Sequence, residues 1–262
     1  MLYRDRAPVS SEAWKEIDSR AVEVLKQYLS ARKAVHVTGP KGPDFNAVAE
    51  GRLVNVKEEE GISYGNYQIV PLTETRVEFE MNRWELDNLE RGAKDLDFAP
   101  LEKAMEKMAL FEERFIFNEL DNAMMNGPDE EKRDKMFYFG TEEKDIMEAV
   151  TQGVLKLSEA YAKKPYVLIV SPEAYKRILA GTKGYPLGRR IEKLIDGEIV
   201  LNRAIQGAYL LPHDHEDLEL TLGQDFSIGY QDHDNYNVKF FAKESFAFRV
   251  LDKNIIVKYN LV

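Results

Sequence analysis

Trp14, Ile17, Ala21, Val24, Leu25, Tyr28 and Leu29 recur at three- and four-residue spacing behind Ser10. That period predicts an amphipathic helix capped by Ser10 and starting at Ser11 or Glu12. The stripe can pack on its own domain, or part of it can dock a partner. Ala34 to Thr38 reads as a short strand broken by Gly39-Pro40-Lys41-Gly42-Pro43. Residues 47–80 then change period. Val54 and Val56 alternate with polar neighbours, as do Thr75, Val77, Phe79 and Met81, which predicts a long hairpin turning near Glu58-Glu59-Glu60-Gly61. Such a hairpin buries little by itself, and its open edges require another chain to cover them.

The helical period returns at Phe98 to Met125. Leu101, Met105, Met108, Phe111, Phe115 and Leu120 line one side, and Leu110, Ile116 and Phe117 widen the stripe until the middle reads as buried nearly all round. Gly127-Pro128 ends this helix. Thr141 is the expected cap of a second helix carrying Ile146, Val150, Val154, Leu157 and Tyr161, followed by a buried strand at Tyr166–Val170. Shorter elements come next. They are a helix after Pro172, a loop over residues 180–186, a helix near Arg189–Leu194, and strands at Glu198–Leu201 and Ala208–Leu211. From Leu218 onward the chain is mostly strand. Helices and strands mixed without a βαβ rhythm indicate an α+β fold.

At 262 residues the chain supports one large domain or two interleaved ones, at about 100–200 residues each. A net charge of −10 argues against a surface built to neutralise nucleic-acid phosphates. The chain contains no cysteine, which removes disulfides, thiolate metal sites and cysteine nucleophiles and fits a reducing cytosol. The first ten residues hold no apolar run suited to a signal peptide, and no stretch reaches the roughly 18 apolar residues of a membrane span. A cytoplasmic location is expected.

Candidate chemistry is sparse. Phosphate-cradling glycine loops and His-Glu-x-x-His are missing from the sequence. His213-Asp214-His215-Glu216-Asp217 offers imidazoles beside carboxylates, but a third properly spaced ligand is not visible, and the stretch reads as a charged turn. Asp232-His233-Asp234 lacks the glycine and distal glutamate of a calcium loop and reads as a hairpin tip. Glu112-Glu113 and Glu130-Glu131 read as solvated helical faces, unsuited to acid–base work. No catalytic residue and no metal site is expected. Trp84 sits where a strand gives way to a helical turn. It can pack at a subunit contact, or its indole can stack on a planar ligand with Arg76 approaching an anionic group.

Several segments carry a resemblance. Pro8-Val9-Ser10 with Trp14–Ala21, Ala31-Arg32-Lys33, Gly39-Pro40, Trp84-Glu85-Leu86-Asp87-Asn88-Leu89-Glu90-Arg91-Gly92, Tyr185-Pro186-Leu187 and Leu222-Gly223-Gln224-Asp225-Phe226-Ser227-Ile228-Gly229-Tyr230 follow the order seen in family 1 encapsulins. These are shell proteins related to the tailed-phage major capsid protein. The resemblance implies the capsid fold: an N-terminal lumen-facing helix and the start of a peripheral domain over residues 1–44, an extension loop over 45–75, a peripheral domain with a long spine helix over 76–139, an axial domain over 140–220, and a return to the peripheral domain over 221–262. It implies self-assembly of about 60 copies into a closed icosahedral shell.

The enclosed cargo would be an enzyme held by its C-terminal targeting peptide, a ferritin-like protein or a dye-decolourising peroxidase, serving iron storage or oxidative-stress defence. In the resemblance, Leu25, Leu29, Arg32, Asp225, Phe226 and Ile228 line the cargo groove, and His36 departs from an acidic residue of some relatives. Thr182, Lys183, Gly184 and Tyr185 border the five-fold pore. Trp84 and Arg76 match residues beside a flavin that some relatives bind, although no cofactor is required. No nucleic-acid or membrane partner is expected. Two alternatives stand beside the shell reading: a phage or prophage head protein, and a bacteriocin- or protease-type enzyme.

Overall fold

The computed structural model describes residues 1–125, 137–180 and 184–262. Helix α1 (Ser11–Tyr28) begins as the pattern requires, with the Ser10 hydroxyl accepting from the Ala13 amide, and it buries Trp14, Ile17, Ala21, Val24 and Leu25. A short 3-10 turn at Ala31–Lys33 leads into β1 (Val35–Thr38). The hairpin comprises β2 (Ala47–Glu59) and β3 (Ile62–Pro71), joined by Glu60 and Gly61, both at positive φ. Two positive φ values match a two-residue turn whose twist suits the flanking strands.

The hairpin's return arm differs from the expected one. Thr75, Val77, Phe79 and Met81 lie on β4 (Thr73–Asn82), which pairs antiparallel with β10 (Asn237–Val250) in a different sheet. The Leu72 amide donates to the Asn46 carbonyl, so the hairpin closes at its base and the chain re-enters the body there. A period of two marks a strand but not its partner.

Helix α2 (Arg83–Glu90) follows β4 directly, and α3 (Ala99–Met125) is the long spine. The expected stop at Gly127-Pro128 lies outside the described residues. Strand β5 (Phe137–Phe139) precedes α4 (Glu143–Glu159). Thr141 does not cap α4; Glu142 occupies the N-cap without a side-chain bond. Tyr161 lies beyond the end of α4 at φ 61° and is almost wholly exposed, so it leaves the predicted stripe. The chain continues through β6 (Tyr166–Val170), α5 (Pro172–Ala180), α6 (Leu187–Ile195), β7 (Ile199–Leu201), β8 (Ala208–Pro212), β9 (His215–His233), β10 and β11 (Val257–Leu261).

A four-stranded sheet has the order β1-β9-β10-β4, a five-stranded sheet the order β5-β11-β8-β6-β7, and among the described residues β2 and β3 pair only with each other. Residues 257–261 therefore join the five-stranded sheet through β8 and β5 instead of returning beside β10. Two apolar cores result. In the first, α1, the start of α3, β4 and the far half of β9 pack around Met105, Phe79 and Phe240. In the second, α4, α5, α6 and the five-stranded sheet pack with the last turns of α3 and the near half of β9. Helix α3 runs through both, contributing Leu101, Met105 and Met108 to one core and Ile116, Phe117 and Leu120 to the other.

Candidate groove at the junction of the two cores

Glu112 and Glu113 sit on α3 between these apolar clusters, and both are 0% exposed. The expectation of a solvated face is thus overturned for this pair, while Glu130-Glu131 lies outside the described residues. A charge buried in a spine helix must be paired or hydrogen-bonded, and both are. The Glu113 carboxylate accepts from the Ser30 hydroxyl at 2.5 Å, the Ala31 amide at 2.9 Å and the Asn202 amide nitrogen at 2.6 Å. Glu112 accepts from Arg32 Nε at 2.8 Å and Nη2 at 2.5 Å. Arg32 Nη2 also donates to the buried Glu244 at 2.5 Å, and its Nη1 donates to Asp225 at 2.9 Å. One guanidinium from the turn after α1 therefore ties together α3, β9 and β10.

Electrostatics follow from burial. Burial disfavours the charge of Arg32, but Glu112, then Glu244 and Asp225, outweigh it and hold the guanidinium firmly charged. Burial pushes the Glu113 carboxyl up to about 8, against the opposing pull of the Ser30 and Ala31 hydrogen bonds. Glu244 is raised well above the usual carboxylate range by burial and by the neighbouring Glu112.

Above this cluster lies an open groove of about 580 Å³ lined by Val22, Leu25, Lys26, Leu29, Arg32, Lys33, Asp225 and Phe226. Five of the six residues named for the cargo groove thus come together from α1, the following turn and β9. Ile228 does not. Its side chain is buried in the first core, and its carbonyl accepts from Arg4 Nε at 2.7 Å. On a strand, residues two apart share a face, but Phe226 lies at the rim and Ile228 beneath the N-terminal turn. Val22, Lys26 and Lys33 were missed. Val22 precedes Leu25 by three residues and Leu29 by seven, so the helical period already placed it on the same stripe. The Arg32 guanidinium lies 5.0 Å from the centre of the Phe226 ring. His36 is not in the groove lining; its Nδ1 meets Asp214 Oδ1 at 2.7 Å.

The block Leu222–Tyr230 is built for close approach. A Cβ on Gly223 would meet Leu72 Cδ2 and Ser245 Oγ at 2.6 Å, so any larger residue must displace both where β9 passes the hairpin's base. The block Trp84–Gly92 is a capped helix. Asn82 Oδ1 accepts from the Trp84 and Glu85 amides, Leu86 is buried, and Trp84 points outward, 65% exposed, with the Arg91 guanidinium 5.6 Å from its ring centre. Arg76 has other neighbours: Gln231 at 3.1 Å, Glu78 at 3.9 Å and the Phe241 ring at 3.8 Å. Among the described residues Trp84 and Arg76 thus have separate neighbours within the subunit. Of the pore residues, Thr182 and Lys183 lie outside the described residues; Gly184 has φ 87° and Tyr185 is exposed.

The remaining candidates resolve into ordinary structure. Asp214 occupies a left-handed turn between β8 and β9, and Asp234 accepts from the Tyr236 and Asn237 amides at the β9–β10 tip. Among the described residues no group of three or more His, Asp or Glu could hold a metal ion, and no helix is long and apolar enough to cross a membrane.

Two sheets, a spine helix common to both cores and a projecting hairpin make this a subunit of the tailed-phage capsid fold. It aligns with a virus-like particle from Pyrococcus furiosus at TM-score 0.67 and 17% identity, covering 95% of this chain and 100% of the other. It aligns with the mature capsid of bacteriophage PhiM1 at TM-score 0.54 and 10% identity, covering 88% and 86%. The residues narrow the class further. The family model Linocin_M18, described as encapsulating protein for peroxidase, matches residues 1–247. The type 1 encapsulin shell protein of Mycolicibacterium paratuberculosis is 35% identical over 249 residues, covering 94% of each chain. The chain belongs to this encapsulin family.

Proposed function

We propose that this protein is the shell subunit of a closed icosahedral compartment of about 60 copies in the cytoplasm, and that it encloses an enzyme. The observation that carries assembly is the hairpin. Leu53, Val56, Ile62, Tyr64, Tyr67 and Ile69 are all exposed on it, Tyr67 by 74%, while among the described residues β2 and β3 pair with no other strand. A two-stranded ribbon with that much apolar surface is unstable by itself and gains its burial from a neighbouring copy. The non-enzymatic reading agrees with relatives named as shell proteins. A phage head protein would share the fold, but the sequence relatives are encapsulins.

The apolar groove suits an extended cargo tail. Val22, Leu25, Leu29 and Phe226 offer pockets, and Lys26, Lys33 and Asp225 supply the charged rim. Many such sites on one shell would retain cargo by avidity. The family description favours a peroxidase, serving oxidative-stress defence, over a ferritin-like protein serving iron storage. Co-expression with a peroxidase that carries a C-terminal targeting tail tests the reading. Particles should retain the enzyme, lose it when the tail is removed, and retain about tenfold less with Leu29→Ser, equivalent to about 1.4 kcal/mol per site. Equal retention with and without the tail would remove the groove reading. Stacking of a flavin on the exposed Trp84 is a separate, dispensable part of the proposal. Purified particles should then carry flavin absorbance that Trp84→Ala abolishes, and colourless wild-type particles would remove it.

A further inference from the structure

The wall of the groove is not free-standing. Residues 30–32 follow α1 and each is pinned from below. Ser30 and Ala31 donate to Glu113, and Arg32 donates to Glu112 and Glu244, while Asp225 holds the guanidinium from the opposite wall. One cation therefore faces Glu112, Glu244 and Asp225, with Glu113 beside them on α3, and three of these four carboxyls are buried. Among the described residues no donor reaches the buried Oε2 of Glu244. A proton on Glu244 would satisfy it, because the carboxyl of Glu112 is the adjacent hydrogen-bond partner. Buried like-charged carboxyls beside a single guanidinium cannot all ionise at low cost.

We propose that Glu113 and Glu244 are protonated positioning residues that hold the groove wall, so that docking in the groove is linked to proton occupancy beneath it. This rests on the docking reading of the groove. With both protons in place, Arg32 is balanced by Glu112 and Asp225 and lies against Phe226. Loss of either proton adds a second buried negative charge beside Glu112 under the turn that carries Leu29 and Arg32; on Glu244 it shares the one Arg32 guanidinium, and on Glu113 only the neutral donors Ser30, Ala31 and Asn202 meet it. The wall then relaxes, and apolar contacts to a docked segment weaken. Lys26 and Lys33 line the groove above the turn, and among the described residues neither is paired with Glu113 or Glu244. The direction of the Glu113 and Glu244 shifts agrees with this arrangement.

The cysteine-free chain permits a direct test, because Val22→Cys creates one attachment point inside the groove. Assembled particles carrying an environment-sensitive dye there would be titrated from about pH 5 to about pH 10, the range spanning ordinary and raised carboxyl values. The emission should step as pH rises through about 8. Glu113→Gln should remove that step, and Glu244→Gln should reduce the total change at least by half. Titrations that superimpose on the parent would overturn the proposal. Infrared spectra of unsubstituted particles keep it falsifiable if a variant fails to assemble. A protonated-carboxyl carbonyl band should be present at neutral pH and fade on alkalinisation, and its absence overturns the proposal. The two readings separate cleanly. A titrating groove that retains no tailed peroxidase removes docking and leaves the proton linkage; a flat titration in particles that retain it does the reverse.

Discussion

The β2–β3 hairpin and the α3 junction invert the usual placement of side chains. The hairpin exposes Leu53, Val56, Ile62 and Tyr67, whereas the junction buries Glu112, Glu113 and Glu244 around a partly buried Arg32. At the junction each of these four side chains meets a hydrogen-bond partner from the same chain. On the hairpin the apolar side chains stay exposed, with only the facing arm of the ribbon beside them. The difference separates what the subunit completes alone from what it leaves for assembly. Polar groups inside are costly unless satisfied at once, so the junction must close as the subunit folds. Apolar groups outside tolerate water until a second surface arrives.

Removing the hairpin should break the comparison most severely. Replacing residues 47–71 by a short Gly-Ser linker should abolish particles and leave a folded monomer, because the sheet of β4 and β10 does not include the hairpin strands. Light scattering and circular dichroism on the same sample read both outcomes. The junction should respond in the opposite way. Glu112→Ala leaves Arg32 and Glu244 without their shared partner and should cost about 3 kcal/mol of subunit stability in denaturant unfolding. A disassembled wild-type subunit in the same assay supplies the baseline.

The pH dependence sharpens the contrast further. The Glu113 carboxyl ionises at about 8 in the folded chain against an ordinary value of 4.5. Between those values the folded state binds more protons than the unfolded state, so this contribution is present below about 4.5 and is lost as pH rises through about 8. Stability should therefore fall across that window, and Glu113→Gln should flatten the slope. The smallest effect belongs to the surface. Asp18→Asn breaks the half-exposed pair with Arg4 and should change stability by about 0.5 kcal/mol or less.

The two regions also differ in how legible they were. The hairpin could be read because alternation and a glycine-bearing turn are local signals, and its exposed apolar side chains need only a count. Its far arm was misassigned since β4 alternates just as β3 does and differs only in its distant partner, β10. The junction was misread for a different reason. Glu112 and Glu113 look like any solvated helix pair in sequence, and their ligands Ser30, Arg32, Asn202 and Glu244 are scattered along the chain. A clue existed, because a helix buried nearly all round cannot expose two adjacent glutamates in its middle. Most of the groove followed from the resemblance, Val22 could have followed from helical spacing, and Ile228 failed because the pattern could not show that the N-terminal turn covers it.

The most direct test of the central claim is an electron cryomicroscopy map of untagged recombinant protein. The account predicts uniform closed particles in which the hairpin of each subunit packs Tyr67 and Ile69 against a neighbouring copy. Monomers under all buffer conditions, or particles whose hairpins fold back on their own subunit, would contradict it.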